Sequence, residues 1–156
     1  MKNKAIFLDR DGVLNREKGR YTYSVADFEV LEGVKEALAA FSAQGYMLIV
    51  ITNQGGVAKR LYHEDDLEKM QVKLREETGA DFAELYYCPH HPTVSKCLCR
   101  KPEPLMLQKA LARFDIDASA SFFIGDTDRD MEAAAGAGVK GIKVEPNADL
   151  RKVILA

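Results

Sequence analysis

The stretch Ile6-Phe7-Leu8-Asp9-Arg10-Asp11-Gly12-Val13-Leu14-Asn15 decides how this chain is read. An apolar run ends abruptly in two carboxylates one residue apart, and a glycine follows. A buried strand that delivers two acids to its exit is costly for a core and useful for chemistry. Asp9 is therefore read as a nucleophile and Asp11 as its acid/base partner. The plainer alternative is a turn in which the aspartates cap backbone groups. Short Asp-x-Asp matches are common, so the reading needs partners elsewhere in the chain.

Working outward, strand and helix patterns alternate. Lys4 to Leu8 reads as a buried strand, and Met47 to Ile51 as a second that ends at Thr52-Asn53-Gln54-Gly55-Gly56. Phe82 to Tyr87, Ser121 to Ile124 and Gly141 to Val144 complete five strands. Val34, Leu38 and Phe41 share one helical face that Gly45 closes; Leu67, Met70 and Leu74 share another, with acids before them and Gly79 after. Pro104 suits the first turn of a helix carrying Leu107, Leu111 and Phe114, and Met131 to Ala137 is a small-residue helix. Asn15 to Leu31 lacks periodicity and reads as a loop or small flap, while Ala148 to Leu155 is expected to form a terminal helix. Such alternation predicts an α/β fold, a parallel sheet with helices on both faces. Chemistry in such folds sits at the carboxyl ends of strands, near a topological switch point. Asp9/Asp11, Thr52/Asn53 and Asp126/Asp130 all fall at predicted strand ends.

The 156 residues fit a single domain over 1–156 with a real core. A net charge of -2 gives no global attraction to nucleic acid or membrane. The N-terminal apolar stretch is too short for a signal peptide or a membrane span, so a cytoplasmic location is expected. Three cysteines close together argue against a disulfide framework and for a metal site.

Asp9, Asp11 and Asp126 could converge on one cation, and hard oxygen ligands suit magnesium. A metal would let a carboxylate approach an anionic phosphoryl group. Asp9 could then attack phosphorus to form an aspartyl-phosphate, while Asp11 protonates the leaving oxygen and later activates water. Thr52 and Asn53 are candidates for phosphate binding, and Lys101 adds a positive charge. Asp130 is read as orienting other groups, although Asp126 and Asp130 alone could be helix-capping acids. Cys88, His90, Cys97 and Cys99 form a C-x-H and a C-x-C pair on one loop, a set that suits tetrahedral zinc in a closed, structural site. His91 is the alternative to His90. Among the basic residues, Arg100 stands out, because an arginine fork beside a phosphate site suits a second phosphate. Arg16, Lys18, Arg20, Lys59 and Arg60 read mainly as solvated surface charge.

Together these residues resemble the haloacid dehalogenase superfamily of phosphatases, in its zinc-containing branch. The resemblance rests on Asp9-Arg10-Asp11-Gly12-Val13-Leu14-Asn15, Ile51 to Gly56, Cys88-Pro89-His90-His91-Pro92, Cys97 to Pro102 and Gly125 to Asp130, and spans about Lys4 to Val144. It implies a Rossmann-like sheet with the first strand central, no large cap domain and a zinc-binding loop. It also implies Asp9 as nucleophile and Asp11 as general acid/base. Magnesium would lie on the Asp9 carboxylate, the Asp11 backbone carbonyl and Asp126. Thr52 and Lys101 match phosphate-binding positions, Cys88, His90, Cys97 and Cys99 the zinc ligands, and Arg100 a substrate-binding arginine. Val13 departs from the threonine common in the family, and the six residues between His90 and Cys97 make a short zinc loop. The implied activity is magnesium-dependent hydrolysis of a small sugar phosphate by a monomer. A heptose 1,7-bisphosphate, used in bacterial surface-glycan synthesis, comes first, and histidinol phosphate, with Glu17 facing its amine, is the alternative. A zinc-stabilised binding module without catalysis is the remote reading, disfavoured because every catalytic role is filled.

Overall fold

The central strand, β1 (Ala5–Leu8), is buried along its whole length. A computed structural model describes residues 1–156. On one side β1 pairs in parallel with β2 (Met47–Asn53), which pairs with β3 (Phe82–Cys88). On the other it pairs with β4 (Phe122–Gly125), which pairs with β5 (Lys140–Lys143). The sheet order is β3-β2-β1-β4-β5, and every pairing is parallel.

Side chains alternate across a strand, so β1 feeds two cores. Ile6 and Leu8 join Leu38 and Phe41 of α1 (Val34–Ala43) and Met70 and Leu74 of α2 (Glu64–Thr78). Ala5 and Phe7 join Met106, Leu107 and Ala110 of α3 (Leu105–Arg113) and Ala133 and Ala134 of α4 (Asp128–Gly136). Burial on both faces explains the continuous apolar runs of β1 and β2. The edge strand β5 is only partly buried and correspondingly carries lysines at both ends.

The chain grows the sheet outward through β2 and β3, then returns to place β4 on the far side of β1. The switch point therefore lies between β1 and β4, the two strands whose exits carry Asp9 and Asp126. The Asp9 N–H donates to the Ile124 carbonyl at 3.0 Å, which locks the two exits together.

Two expectations need correction. The terminal helix is a single 3-10 turn, Leu150–Lys152, capped by Asp149. One turn is too short to sustain itself, and the segment is held instead by Leu150, Val153 and Leu155 packing on the first core. Helix α4 begins at Asp128, earlier than Met131, because Thr127 and Asp130 form a capping box. The flap is anchored at its base by an Asn15–Val30 bridge, and Phe28 and Leu31 are buried within the first core.

Ser121, 1 % exposed, joins the start of β1 to the loop before β4. Its Oγ accepts from the Ala5 N–H at 2.9 Å and donates to the Asp117 carbonyl at 2.7 Å. Ser121→Ala leaves the buried Ala5 N–H unpaired, while the Asp117 carbonyl keeps the Ala120 N–H at 3.2 Å, and is expected to cost about 1–3 kcal/mol. Urea denaturation should show a lowered midpoint with an unchanged slope.

Candidate active site

A cavity of about 430 Å³ opens at the carboxyl edge of the sheet, and nearly every residue lining it is polar or charged. At its floor lies Lys101, 3 % exposed. Its Nζ contacts Asp9 Oδ1 at 2.9 Å and Asp130 Oδ1 at 2.7 Å, and donates to the Ile51 carbonyl at 2.9 Å. Burial alone would lower the ammonium's pKa, but Asp9 and Asp130 outweigh it and hold the group charged. Burial raises the Asp9 carboxyl well above the usual carboxylate range; Lys101 opposes that shift, and Asp130 and Asp126 reinforce it. Asp9 Oδ1 also accepts the Arg10 backbone N–H at 2.9 Å, whereas no N–H donor reaches Oδ2.

Asp11 sits in a different environment. Its Oδ1 accepts from Arg10 Nη2 and Asn15 Nδ2, and its Oδ2 from Gln54 Nε2, all at 2.9 Å. Burial pushes its carboxyl up, but the Arg10 charge and the three donors outweigh that and leave it below the ordinary value. Arg10, Asn15 and Gln54 were not singled out from the sequence. Arg10 is 3 % exposed, lies over the Phe28 ring at 5.3 Å and contacts Met70 Sδ at 3.6 Å. The available signals were an arginine held between two aspartates and a glutamine two residues beyond Thr52.

Oxygens of Asp9, Asp126 and Asp130 lie within 4.8 Å of one another. Three carboxylates against one lysine leave two negative charges in a poorly solvated place. Asp126 is itself raised, by burial first and then by Asp130. That donor set fits a divalent, oxygen-preferring cation. Asp130 is the least available of the three: its Oδ2 accepts from the backbone of Asp126 and Thr127 at 3.1 Å and from Thr127 Oγ1 at 3.0 Å. The Asp11 carboxylate lies outside this group, but its backbone carbonyl accepts no hydrogen bond within the chain and is open to a ligand. Gly12 (φ 88°) permits the close approach, since a Cβ there would stand 2.2 Å from Asp126 Oδ2.

Thr52 and Asn53, at the end of β2, both line the cavity. Asn53 has a second use within the fold. Its Oδ1 accepts the Lys101 backbone N–H at 3.0 Å and its Nδ2 donates to the Lys101 carbonyl at 3.1 Å, so both ends of the amide are committed to placing Lys101. Thr52 Oγ1 accepts from Gln54 Nε2 at 2.9 Å.

Cys88, His90, Cys97 and Cys99 gather their ligand atoms within 4.8 Å, a candidate metal centre. Cys88 Sγ lies 3.4 Å from His90 Nδ1 and 3.7 Å from Cys97 Sγ, and His90 Nδ1 lies 3.3 Å from Cys99 Sγ. These match the edges of a tetrahedron with metal–sulfur bonds of about 2.3 Å. Cys88 and Cys99 sit closer, at 2.9 Å. Burial pushes the Cys88 thiol up, as expected for sulfurs crowded without a cation. Burial also acts on Cys97, but N–H groups of Arg100 and Cys99 aimed at it prevail and lower it. His91 is outside the cluster. Its Nδ1 accepts the Thr93 N–H at 3.2 Å, and its ring lies against Gly55 at the cavity wall.

The basic residues sort by partner. Arg16 pairs with Glu29, and Lys18 and Arg20 share Asp27, so two carboxylates offset most of the positive charge of these three flap residues. Lys59 lies over the Tyr21 ring, 5.1 Å from its centroid. Arg100 and Arg129 line the cavity without an acidic partner; Arg100 makes one hydrogen bond, to the His90 carbonyl. Arg129 was not foreseen. Glu17 also lines the cavity, with its Oε1 accepting the Gly19 N–H at 2.7 Å.

A parallel sheet with aspartates at the switch point and a buried lysine between them defines a hydrolase of the haloacid dehalogenase type. The profile of a family described as HAD-hydrolase-like matches residues 98–152. The chain is 40% identical to the D-glycero-beta-D-manno-heptose-1,7-bisphosphate 7-phosphatase of Haemophilus ducreyi, over 90% of this chain and 81% of that protein. It is 43% identical to the D-glycero-alpha-D-manno-heptose-1,7-bisphosphate 7-phosphatase of Campylobacter jejuni, over 89% and 80%. Among solved structures it superposes with a TM-score of 0.83 on the D,D-heptose 1,7-bisphosphate phosphatase of B. bronchiseptica complexed with magnesium and phosphate. That pair is 33% identical, covering 88% of this chain and 78% of the other. The chain thus belongs to the heptose-1,7-bisphosphate 7-phosphatase family of haloacid dehalogenase-like hydrolases.

Asn53→Ala removes both clamps on the Lys101 backbone. Phosphatase kcat/KM is expected to fall about tenfold, because small misplacements of a site group are expensive. Circular dichroism should stay unchanged and the Tm should drop by only a few degrees.

Proposed function

We propose that this chain is a magnesium-dependent phosphatase that removes the 7-phosphate of a D-glycero-D-manno-heptose 1,7-bisphosphate through an aspartyl-phosphate. The observation that carries the reading is the Asp9–Lys101–Asp130 arrangement beside Asp126, joined to 40% identity with enzymes of that name. Asp9, Asp126 and the Asp11 carbonyl would hold magnesium, which screens the substrate's negative charge when bound.

Asp9 is anchored through Oδ1, which leaves Oδ2 to attack phosphorus. The Asp9–phosphorus bond forms as the bond to the sugar oxygen breaks, and Asp11, which must enter this step in its protonated form, gives that oxygen its proton. Asp11 then takes a proton from water, whose oxygen attacks phosphorus and releases Asp9. Lys101 and the Thr52 hydroxyl bind the transferring phosphoryl oxygens. Arg100 and Arg129 face the second phosphate, since they alone among the cavity's arginines lack an acidic partner. The four-ligand centre holds zinc in a structural role, because four protein donors fill its tetrahedron. The substrate is a small molecule and not a lipid. No helix is long and apolar enough to cross a membrane.

The deciding experiment compares kcat/KM on heptose 1,7-bisphosphate and histidinol phosphate with magnesium present. The bisphosphate should be preferred at least about 100-fold, and a preference for histidinol phosphate overturns the substrate assignment. Asp9→Asn should lower turnover by about 10³-fold or more with the fold intact.

Elemental analysis of purified protein should find about one zinc per chain. Stripping it with a strong chelator should lower the Tm by about 10 °C, the scale expected on losing a structural metal. Fully folded protein free of zinc would refute this part of the reading.

A further inference from the structure

Two buried side chains stand behind Asp11 with no part in the chemistry so far. Gln54 is 2 % exposed and Tyr62 4 %. Tyr62 Oη donates to Gln54 Oε1 at 2.6 Å, and Gln54 Nε2 donates to Asp11 Oδ2 and to Thr52 Oγ1, each at 2.9 Å. An amide has two ends of similar shape and opposite hydrogen-bonding sense. With its carbonyl held by the phenol, Gln54 must turn its N–H end toward Asp11. Without that hydroxyl, the buried carbonyl would lack its partner and the amide would lose the anchor that fixes its position behind Asp11.

The surrounding sequence makes room for this arrangement. A Cβ on Gly56 would lie 2.2 Å from Tyr62 Cε1, so only glycine lets the ring reach Gln54. On its outer side the Tyr62 ring meets two flap rings, Tyr21 at 6.3 Å and Tyr23 at 6.5 Å between centroids. Tyr21 lines the cavity. The chain of contacts runs from the flap through Tyr62 and Gln54 to Asp11.

We infer that Tyr62 and Gln54 are positioning residues, with Tyr62 fixing the Gln54 amide so that it holds Asp11 in line for proton transfer to the leaving oxygen. The inference rests on the reading of Asp11 as acid/base partner, and its test separates the two. A sugar phosphate leaves as a basic alkoxide and needs that proton. A p-nitrophenyl ester leaves as a weakly basic phenolate and does not. Because kcat/KM covers steps only through departure of the leaving group, comparing the two esters isolates the acid function. A change that merely loosened the fold would slow both alike.

Tyr62→Phe keeps the ring and its packing and removes only the hydroxyl. Its loss in kcat/KM on heptose bisphosphate should exceed its loss on p-nitrophenyl phosphate by about tenfold, a fraction of what a general acid supplies. Gln54→Leu should show the same selectivity. Asp11→Asn serves as the reference, with a selectivity of about 100-fold. If Asp11→Asn slows both esters equally, the acid reading itself fails. If Asp11→Asn discriminates between them and Tyr62→Phe does not, the positioning role is overturned.

Discussion

The ammonium of Lys101 is the contact on which the rest of the site depends. It lies between Asp9, the residue just past β1, and the first turn of α4, and it also reaches the carbonyl of Ile51 within β2. One buried charge thus joins three elements that the sequence keeps far apart. A buried ion pair is weak evidence of net stability, since desolvating its members costs several kcal/mol each. What it does supply is position. Removing either partner would strand a charge in the interior, so Asp9, Asp130 and Lys101 are constrained to move together or not at all.

Because the lysine comes from a loop and not from a helix or strand, that loop has to be fixed by other means. The structure does so from both sides. Asn53 clamps the backbone of Lys101 with two hydrogen bonds, and the Cys/His cluster ends two residues before it. Cys88 closes β3, and its carbonyl accepts the Gln54 N–H at 2.8 Å, so the cluster is also tied to the exit of β2. A metal bound there would restrain the backbone that carries Arg100 and Lys101. A metal held by that cluster would in this way act on the chemistry through the backbone and not through contact with the substrate.

The parts of this arrangement legible in the sequence are those with a local signature. Apolar runs ending in Asp9, Thr52 and Asp126 announce parallel strands and their exits, and the C-x-H and C-x-C pairs announce a metal loop, because spacing alone brings those ligands together. Arg10, Gln54 and Tyr62 escaped for the opposite reason. Gln54 meets Asp11 from 43 residues away, Arg10 packs against Phe28 and Met70, and nothing near Gln54 in the chain says that Tyr62 will fold back over Gly56 to meet it. The clamp that Asn53 makes on Lys101 was not legible, since only the folded loop brings the Lys101 backbone within reach of its amide. The terminal segment misled because apolar residues at helical spacing also suit an irregular strand of chain lying on α1.

The same distinction decides where substrate selectivity resides. Counting charges along the chain points to the flap, where Arg16, Lys18 and Arg20 follow Asn15 within a few residues. Each of these cations is engaged on folding, because Glu29 pairs with Arg16 and Asp27 is shared by Lys18 and Arg20, and such exposed pairs contribute little beyond holding the loop in shape. Under the proposed function, the cations that would meet a second phosphate are Arg100, on the loop that follows the Cys/His cluster, and Arg129, in the first turn of α4. Helix α4 adds its own weak preference for anions at that end, although Thr127 and Asp130 already satisfy part of it. Anion recognition thus belongs to the rigid wall of the cavity, and the flap contributes aromatic surface through Tyr21 and Tyr23. A wall built from a clamped loop and a helix suits discrimination between a bisphosphate and a monophosphate, since a preorganised guanidinium loses less entropy per hydrogen bond formed.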